Sequence, residues 1–391
     1  MEDGPKLSLI FKTKNSDKNV FDYSQSGIIT VKHETEDKSI YYCRTLYTNK
    51  IVIYEEQKYI DDECQILFRA RKSKKGYYEL IWPIAKFDSL DEDNLDDLDN
   101  KIWFVVKSDN NENNQIIYEN ENDDYYLNEN DIIKIAKKKY EVIKLNIVVN
   151  NDSEESKKNN FGSVLNLPSK KVINPKWKNQ DDENGYNPDY DCRICFGSMT
   201  EINNPLLKMC NCHSVLHYSC LKLFLKNNLI ISNNSFDTVT SYKCENFGCE
   251  VCKRPYPLYF NVKFDENDEK TFCLIDGLNL PENLNYMILE SLTFVNNEQE
   301  KNSKYIFVIK LTEKEVKIGR NNENDIIDSE SMISRFHAVL NYDKEKGKVS
   351  ITNKGKFGVS VLIKNNVKLE IGQKIYFQVG RTYIKAEVKK S

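Results

Sequence analysis

Eight of the chain's eleven cysteines, and two of its four histidines, fall between Cys192 and Cys252. Their order is Cys192-x2-Cys195, Cys210-x-Cys212, His217-x2-Cys220 and Cys249-x2-Cys252. A two-residue spacer lets one tight turn present two soft donors, either two sulfurs or a nitrogen and a sulfur, to one tetrahedral ion. Eight ligands in four pairs, three of them with that spacer, are enough for two closed Zn2+ sites. No coordination position is left open for water, so the metal would be structural and not catalytic. The first thirty residues carry no apolar core of signal-peptide type. The clustering therefore reads as metal ligation and not as a disulfide framework. His213 and Cys244 lie in the same window, and either could replace a neighbour as ligand. Cys43, Cys64 and Cys273 stand apart and are expected to be reduced, mostly buried thiols.

A second constellation lies near the C-terminus. Gly319-Arg320 is followed by Ser334-Arg335-Phe336-His337. The guanidinium of Arg320 offers a planar fork of donors and Ser334 a hydroxyl, a pairing suited to phosphate.

The elements that must hold these residues are mostly strands. Residues 1–150 alternate aromatic and β-branched runs such as SLIFKT, ECQILFRA, KIWFVVK and NQIIYEN with polar turns, the pattern of a β-sandwich. The acidic stretch SLDEDNLDDLD, ending at Asp99, interrupts them and reads as a solvated loop. Residues 151–187 have the composition of a polar linker, in which Trp177 could dock on a neighbour. The cysteine-rich module occupies 188–262, and strand patterns return over 274–391 as a second sandwich. The stretch from Leu127 to Tyr140 lines up, with one inserted residue, with the stretch from Leu369 to Tyr383, which suggests a distant repeat. The expected fold class is multidomain and mostly β: two sandwiches flanking a small zinc domain.

The ligand spacing resembles the RING family, and the Cys192-Arg-Ile-Cys195 opening with a cysteine at the fourth ligand position resembles its RING-CH variant. That resemblance implies a cross-brace: Cys192, Cys195, His217 and Cys220 on one zinc, with Cys210, Cys212, Cys249 and Cys252 on the other. It also implies a ubiquitin-conjugating enzyme as partner, touched by Ile194, Phe224 and Lys253. Such modules have no catalytic side chain; rate comes from positioning the charged ubiquitin. The sequence departs from the family in the four residues between Cys212 and His217, and in a long final loop of 28 residues between Cys220 and Cys249.

Residues 316–388 resemble a forkhead-associated (FHA) domain, on Ile318-Gly319-Arg320, Asp325-Ile326 and Ile333-Ser334-Arg335-Phe336-His337-Ala338. The resemblance implies a phosphothreonine-containing protein partner held by Arg320, Ser334, Arg335 and Lys356, with His337 ordering the loops from behind. Gly355-Lys356-Phe357-Gly358-Val359 departs from the family's hydroxyl-Asn-Gly pattern. The ending LNENDIIKIAKKKYEV makes the N-terminal region resemble a degenerate copy whose phosphate site is lost, since it has no Gly-Arg and no Ser-x-x-His.

The net charge of −4 and pI near 5.8 argue against nucleic acid or anionic membrane as main partners. No apolar run approaches ~18 residues, so a soluble, intracellular (cytoplasmic) protein is expected. Two functional expectations follow. One is a RING-type ubiquitin ligase whose FHA domain recruits a phosphoprotein; the other is a non-enzymatic zinc-containing scaffold docked within a larger assembly.

Overall fold

In the computed structural model the chain is mostly β, with one α-helix among the described residues. Those residues are 5–14, 28–36, 39–82, 98, 101–106, 125–147, 172–173, 191–210, 212, 214–265, 268–275, 278, 280–281, 284–292 and 303–390. The strand expected at 114–120, the acidic loop, Trp177, nearly all of the 151–187 linker and His213 lie outside them.

The N-terminal half supplies β1 (Lys6–Lys14), β2 (Ile28–Thr35), β3 (Ser39–Thr45), β4 (Ile51–Tyr54), β5 (Cys64–Lys72), β6 (Tyr78–Ile81), β7 (Ile102–Val106), β8 (Tyr125–Tyr126), β9 (Ile132–Ile135) and β10 (Lys138–Asn146). Around the cysteine-rich segment lie β11 (Val172–Ile173), β12 (Leu206–Leu207), β13 (Leu216–His217), α1 (Tyr218–Asn227), β14 (Leu229–Asn233), β15 (Val239–Cys244), β16 (Tyr259–Asp265) and β17 (Asp268–Cys273). The rest are β18 (Tyr286–Ser291), β19 (Lys304–Lys310), β20 (Val316–Gly319), β21 (Ile326–Ile327), β22 (Ala338–Asp343), β23 (Lys348–Asn353), β24 (Val359–Leu362), β25 (Val367–Leu369), β26 (Lys374–Val379) and β27 (Thr382–Lys389).

Two sandwiches share one twelve-stranded sheet of order β14-β15-β19-β18-β10-β9-β24-β7-β26-β27-β1-β2. The two five-stranded sheets are β4-β3-β5-β6-β25 and β21-β20-β22-β23-β8. The two sandwiches therefore repeat one strand order, and each takes its last three strands from the opposite half of the sequence. β25, β26 and β27 complete the N-terminal sandwich, and β8, β9 and β10 complete the C-terminal one. The division expected between 1–150 and 274–391 is thus crossed by strand pairing in both directions.

The cores follow the same exchange. Leu7, Leu9, Phe11, Tyr42 and Phe68 pack with Phe377, Val379, Ile384 and Ala386. Ile133, Ile135, Tyr140 and Val142 pack with Ile318, Leu340, Ile351 and Val359. The physical reason lies in the repeat: both closing hairpins alternate apolar and polar residues with the same period, so each can fill the other's slot. At the centre β7 and β24 pair antiparallel, Val106 opposite Val359 and Trp103 opposite Leu362.

The cysteine-rich segment packs on the outer face of the shared sheet. On β18, Met287 and Leu289 face the sandwich core, while Tyr286 and Ile288 face the cysteine-rich core. Both faces being covered, the strand reads as the continuous run YMILES, buried throughout. β15 extends the same sheet by pairing with β19, from Val239↔Ile309 to Cys244↔Lys304. The long final loop of the sequence reading is therefore largely a hairpin, β14–β15.

Candidate functional site

Among the described residues the metal-ligand side chains form two clusters: Cys192, Cys195, His217 and Cys220, and Cys210, Cys212, Cys249 and Cys252. Within each, the donor atoms all lie within 4.8 Å of one another, so each cluster could hold a metal ion. The first pair has joined the third and the second the fourth, an interleaved arrangement. Cys244 lies outside both clusters, buried at the end of β15 with its Sγ 3.6 Å from the Leu225 carbonyl.

The donors fit a thiophilic ion. His217 Nε2–H donates to the Met199 carbonyl at 2.6 Å, which leaves Nδ1 as the free donor, 3.2 Å from Cys195 Sγ. Burial raises the Cys192 thiol, yet backbone N–H groups of Cys195, His217 and Ile194 outweigh it and bring the group down to about 7. Cys249 behaves alike: burial opposes, the amides of Cys252 and Val251 prevail, and the thiol falls to about 7. The two-residue spacer thus aims backbone dipoles at the first sulfur of each turn. All eleven cysteines are free thiols, and burial pushes Cys43 up to about 12.

The two cluster turns are joined at the surface by an ion pair, Arg193 to Glu250 at 3.7 Å. Ile194 and Val251, the neighbours of that pair, are 45% and 58% exposed. Lys253 is also exposed, in a left-handed backbone conformation (φ 60°) with its Nζ on the Glu250 carbonyl. Phe224 differs from these: on α1 it is half-buried against the cysteine-rich core, and the exposed neighbour is Leu223. A helix this short turns Leu221 and Leu225 inward, which carries position 224 partly in with them.

The second cluster of predicted residues gathers on three loops at one end of the C-terminal sandwich. Arg320 is exposed at the end of β20, and its amide bonds the Ser334 carbonyl at 3.0 Å. Arg335 and Lys356 are likewise exposed. Ser334 Oγ accepts the Lys356 amide at 3.1 Å, which draws the loop before β24 against the loop before β22. His337 lies wholly buried behind them. Its Nδ1 accepts from the Ser334 amide at 2.9 Å and its Nε2–H donates to the Gly358 carbonyl at 3.1 Å. Burial pulls this imidazole below its ordinary value, opposed in part by the Gly358 carbonyl.

Asn324 escaped the sequence reading. Asn324 is buried and its Nδ2 bonds the carbonyls of Asn321 and Arg335, each at 2.7 Å. Gly319 and Gly355 are close-approach positions: an added Cβ would overlap the Arg335 carbonyl in one case and the His337 ring in the other. Only the lack of a side chain marks such positions in a sequence. The hairpin that follows α1 is also braced to the C-terminal sandwich. Asn234, in the turn of the β14–β15 hairpin, donates to Asp325 Oδ1 at 2.6 Å, while Asp325 Oδ2 accepts the Lys317 amide on β20.

No helix among the described residues is long and apolar enough to cross a membrane. No curated protein and no solved structure matches the chain. Residues 316–381 match the family model of the FHA domain. The matched stretch begins at β20 and ends in the β26–β27 turn, so its part through Leu362 builds the C-terminal sandwich and its last strands the N-terminal one. The chain carries an FHA domain, a module that suggests phosphoprotein binding.

Proposed function

We propose that this protein is a RING-type ubiquitin ligase that selects a phosphothreonine-bearing partner through its FHA domain. The observation that carries the ligase reading is the interleaved pair of cysteine-histidine clusters with Ile194, Val251 and Lys253 exposed around the Arg193–Glu250 pair. Two Zn2+ ions would occupy the clusters and fix those loops. Ile194, with Lys253 nearby, would then meet a ubiquitin-conjugating enzyme, and catalysis would come from holding its charged ubiquitin in a reactive geometry. Phe224 would contribute as a support for α1 more than as a contact, since it is half-buried. The partner's phosphate would be met by Arg320, Ser334, Arg335 and Lys356, on loops tied together by Ser334 and His337. The brace from Asn234 to Asp325 would keep reader and ligase surfaces at a fixed separation.

A second reading, a non-enzymatic scaffold, is favoured by a specific observation: the zinc module is built into the shared sheet through β15 and covers its outer face. Titrating the zinc-loaded chain with a panel of ubiquitin-conjugating enzymes separates the two. A saturable complex that Ile194→Ala weakens about tenfold or more supports the ligase. Absence of any complex across the panel favours the scaffold.

A further inference from the structure

The phosphate-reading loops of the C-terminal sandwich border a turn that belongs to the other half of the sequence. β9 lies beside β24, with Ile135 opposite Val359, so the β9–β10 turn meets the loop that carries Lys356 and Phe357. The Ala136 amide points at the Gly358 carbonyl at 3.4 Å, the same carbonyl that receives His337 Nε2–H. One turn of chain later, Tyr140 is buried and its hydroxyl donates to Asp328 Oδ2 at 2.8 Å. Asp328 in turn accepts the Glu330 amide at 3.0 Å, in the loop leading to Ser334. The hairpin therefore touches two of the three loops that hold the predicted phosphate-binding residues.

The turn itself is unusual. Ala136 is wholly buried yet left-handed (φ 54°), a conformation that favours glycine. The matching turn of the exchanged hairpin, between β26 and β27, places Gly380 there at φ 52°. Strained residues of this kind collect where a loop must be held in one place beside a ligand. The residue the strain presents is Lys137, which is exposed, with Lys138 beside it. Both lysines act electrostatically on Glu330, which burial and Asp328 push upward. They come from the other half of the sequence and stand on the turn that meets the loop carrying Lys356.

We propose that Lys137 is a specificity-determining residue of the phosphopeptide face, pairing with an acidic side chain that flanks the phosphothreonine. This rests on the phosphothreonine reading given above and adds a second, charged requirement to it. The reader is then a product of both halves of the chain, and residues 274–391 hold only part of it.

The test measures binding of the zinc-loaded chain to two phosphothreonine peptide pools with degenerate flanks, one enriched in Asp and Glu and one uncharged. Arg320→Ala should abolish binding to both pools. Lys137→Glu should weaken the acidic pool about five- to tenfold and leave the uncharged pool unchanged. Loss with Arg320→Ala, but unaltered binding of both pools or an equal weakening of both by Lys137→Glu, would overturn the assignment of Lys137 while the reader stands. No binding of either pool by the unaltered protein would overturn the reader, and the role of Lys137 with it.

Discussion

Phe377 packs its ring edge-on against Phe68, centroids 5.4 Å apart, and edge-on against Trp82 at 5.1 Å. A residue from the end of the FHA-matched stretch thus closes the core of the N-terminal sandwich. Phe377→Ala should cost about 3–5 kcal/mol. Amide exchange should speed up first in β3 and β5, which face that core, and later in β20 and β22. Faster exchange confined to β20 and β22 would contradict the exchange of strands.

Gly355 lies against the His337 ring with no room for a Cβ. Gly355→Ala should destabilise the loops by about 1–3 kcal/mol, as overpacking does. The imidazole resonances of His337 should shift, since the ring must move to make space. Unchanged His337 resonances and an unchanged melting temperature would mean that the close contact is absent in solution.

His337 carries a pH dependence with a definite sign. Its folded pKa lies below the ordinary 6.5, burial being the cause, and the ring accepts the Ser334 amide at Nδ1. A group depressed in this way contributes stability that is complete above its unfolded pKa and is lost as pH falls through the folded value. Protection of the Ser334 and Lys356 amides, corrected for intrinsic exchange, should therefore decline as pH drops below 6.5. Protection that is flat or rises on acidification would contradict this.

The two clusters predict different fates for two buried cysteines. Cys192→Ser should lower the zinc content below two per chain and loosen the core around Leu206, Leu221 and Phe247, because structural zinc supplies folding energy directly. Cys244→Ser should keep both ions, since Cys244 lies outside the clusters. Metal analysis with the two results reversed would refute the ligand assignment.

The parts of this structure that were legible in the sequence are those fixed by local chemistry. The spacing of four ligand pairs announced two clusters, although the joining of first to third and second to fourth pair rested on family resemblance. Gly319-Arg320 and Ser334-x-x-His337 pointed to loops that meet at one end of the C-terminal sandwich, and the alignment of 127–140 with 369–383 announced two like hairpins. Which hairpin enters which sandwich was not legible. Ile133 and Phe377 satisfy either slot, and the choice is made by how β7 and β24 cross at the centre, a non-local matter. The β14–β15 hairpin read as a loop because Ile230 and Ile231 are both exposed, so the strand lacks the alternation of a half-buried one. The continuous run YMILES did carry a signal that a third layer covers the sheet.

The measurement that bears most directly on the proposed activity is single-turnover discharge of ubiquitin from a panel of charged conjugating enzymes by the zinc-loaded protein. At least one enzyme should be discharged faster than on its own, and Ile194→Ala should slow this about tenfold with both zincs retained. No acceleration by any enzyme, with two zincs bound and the fold intact, would contradict it.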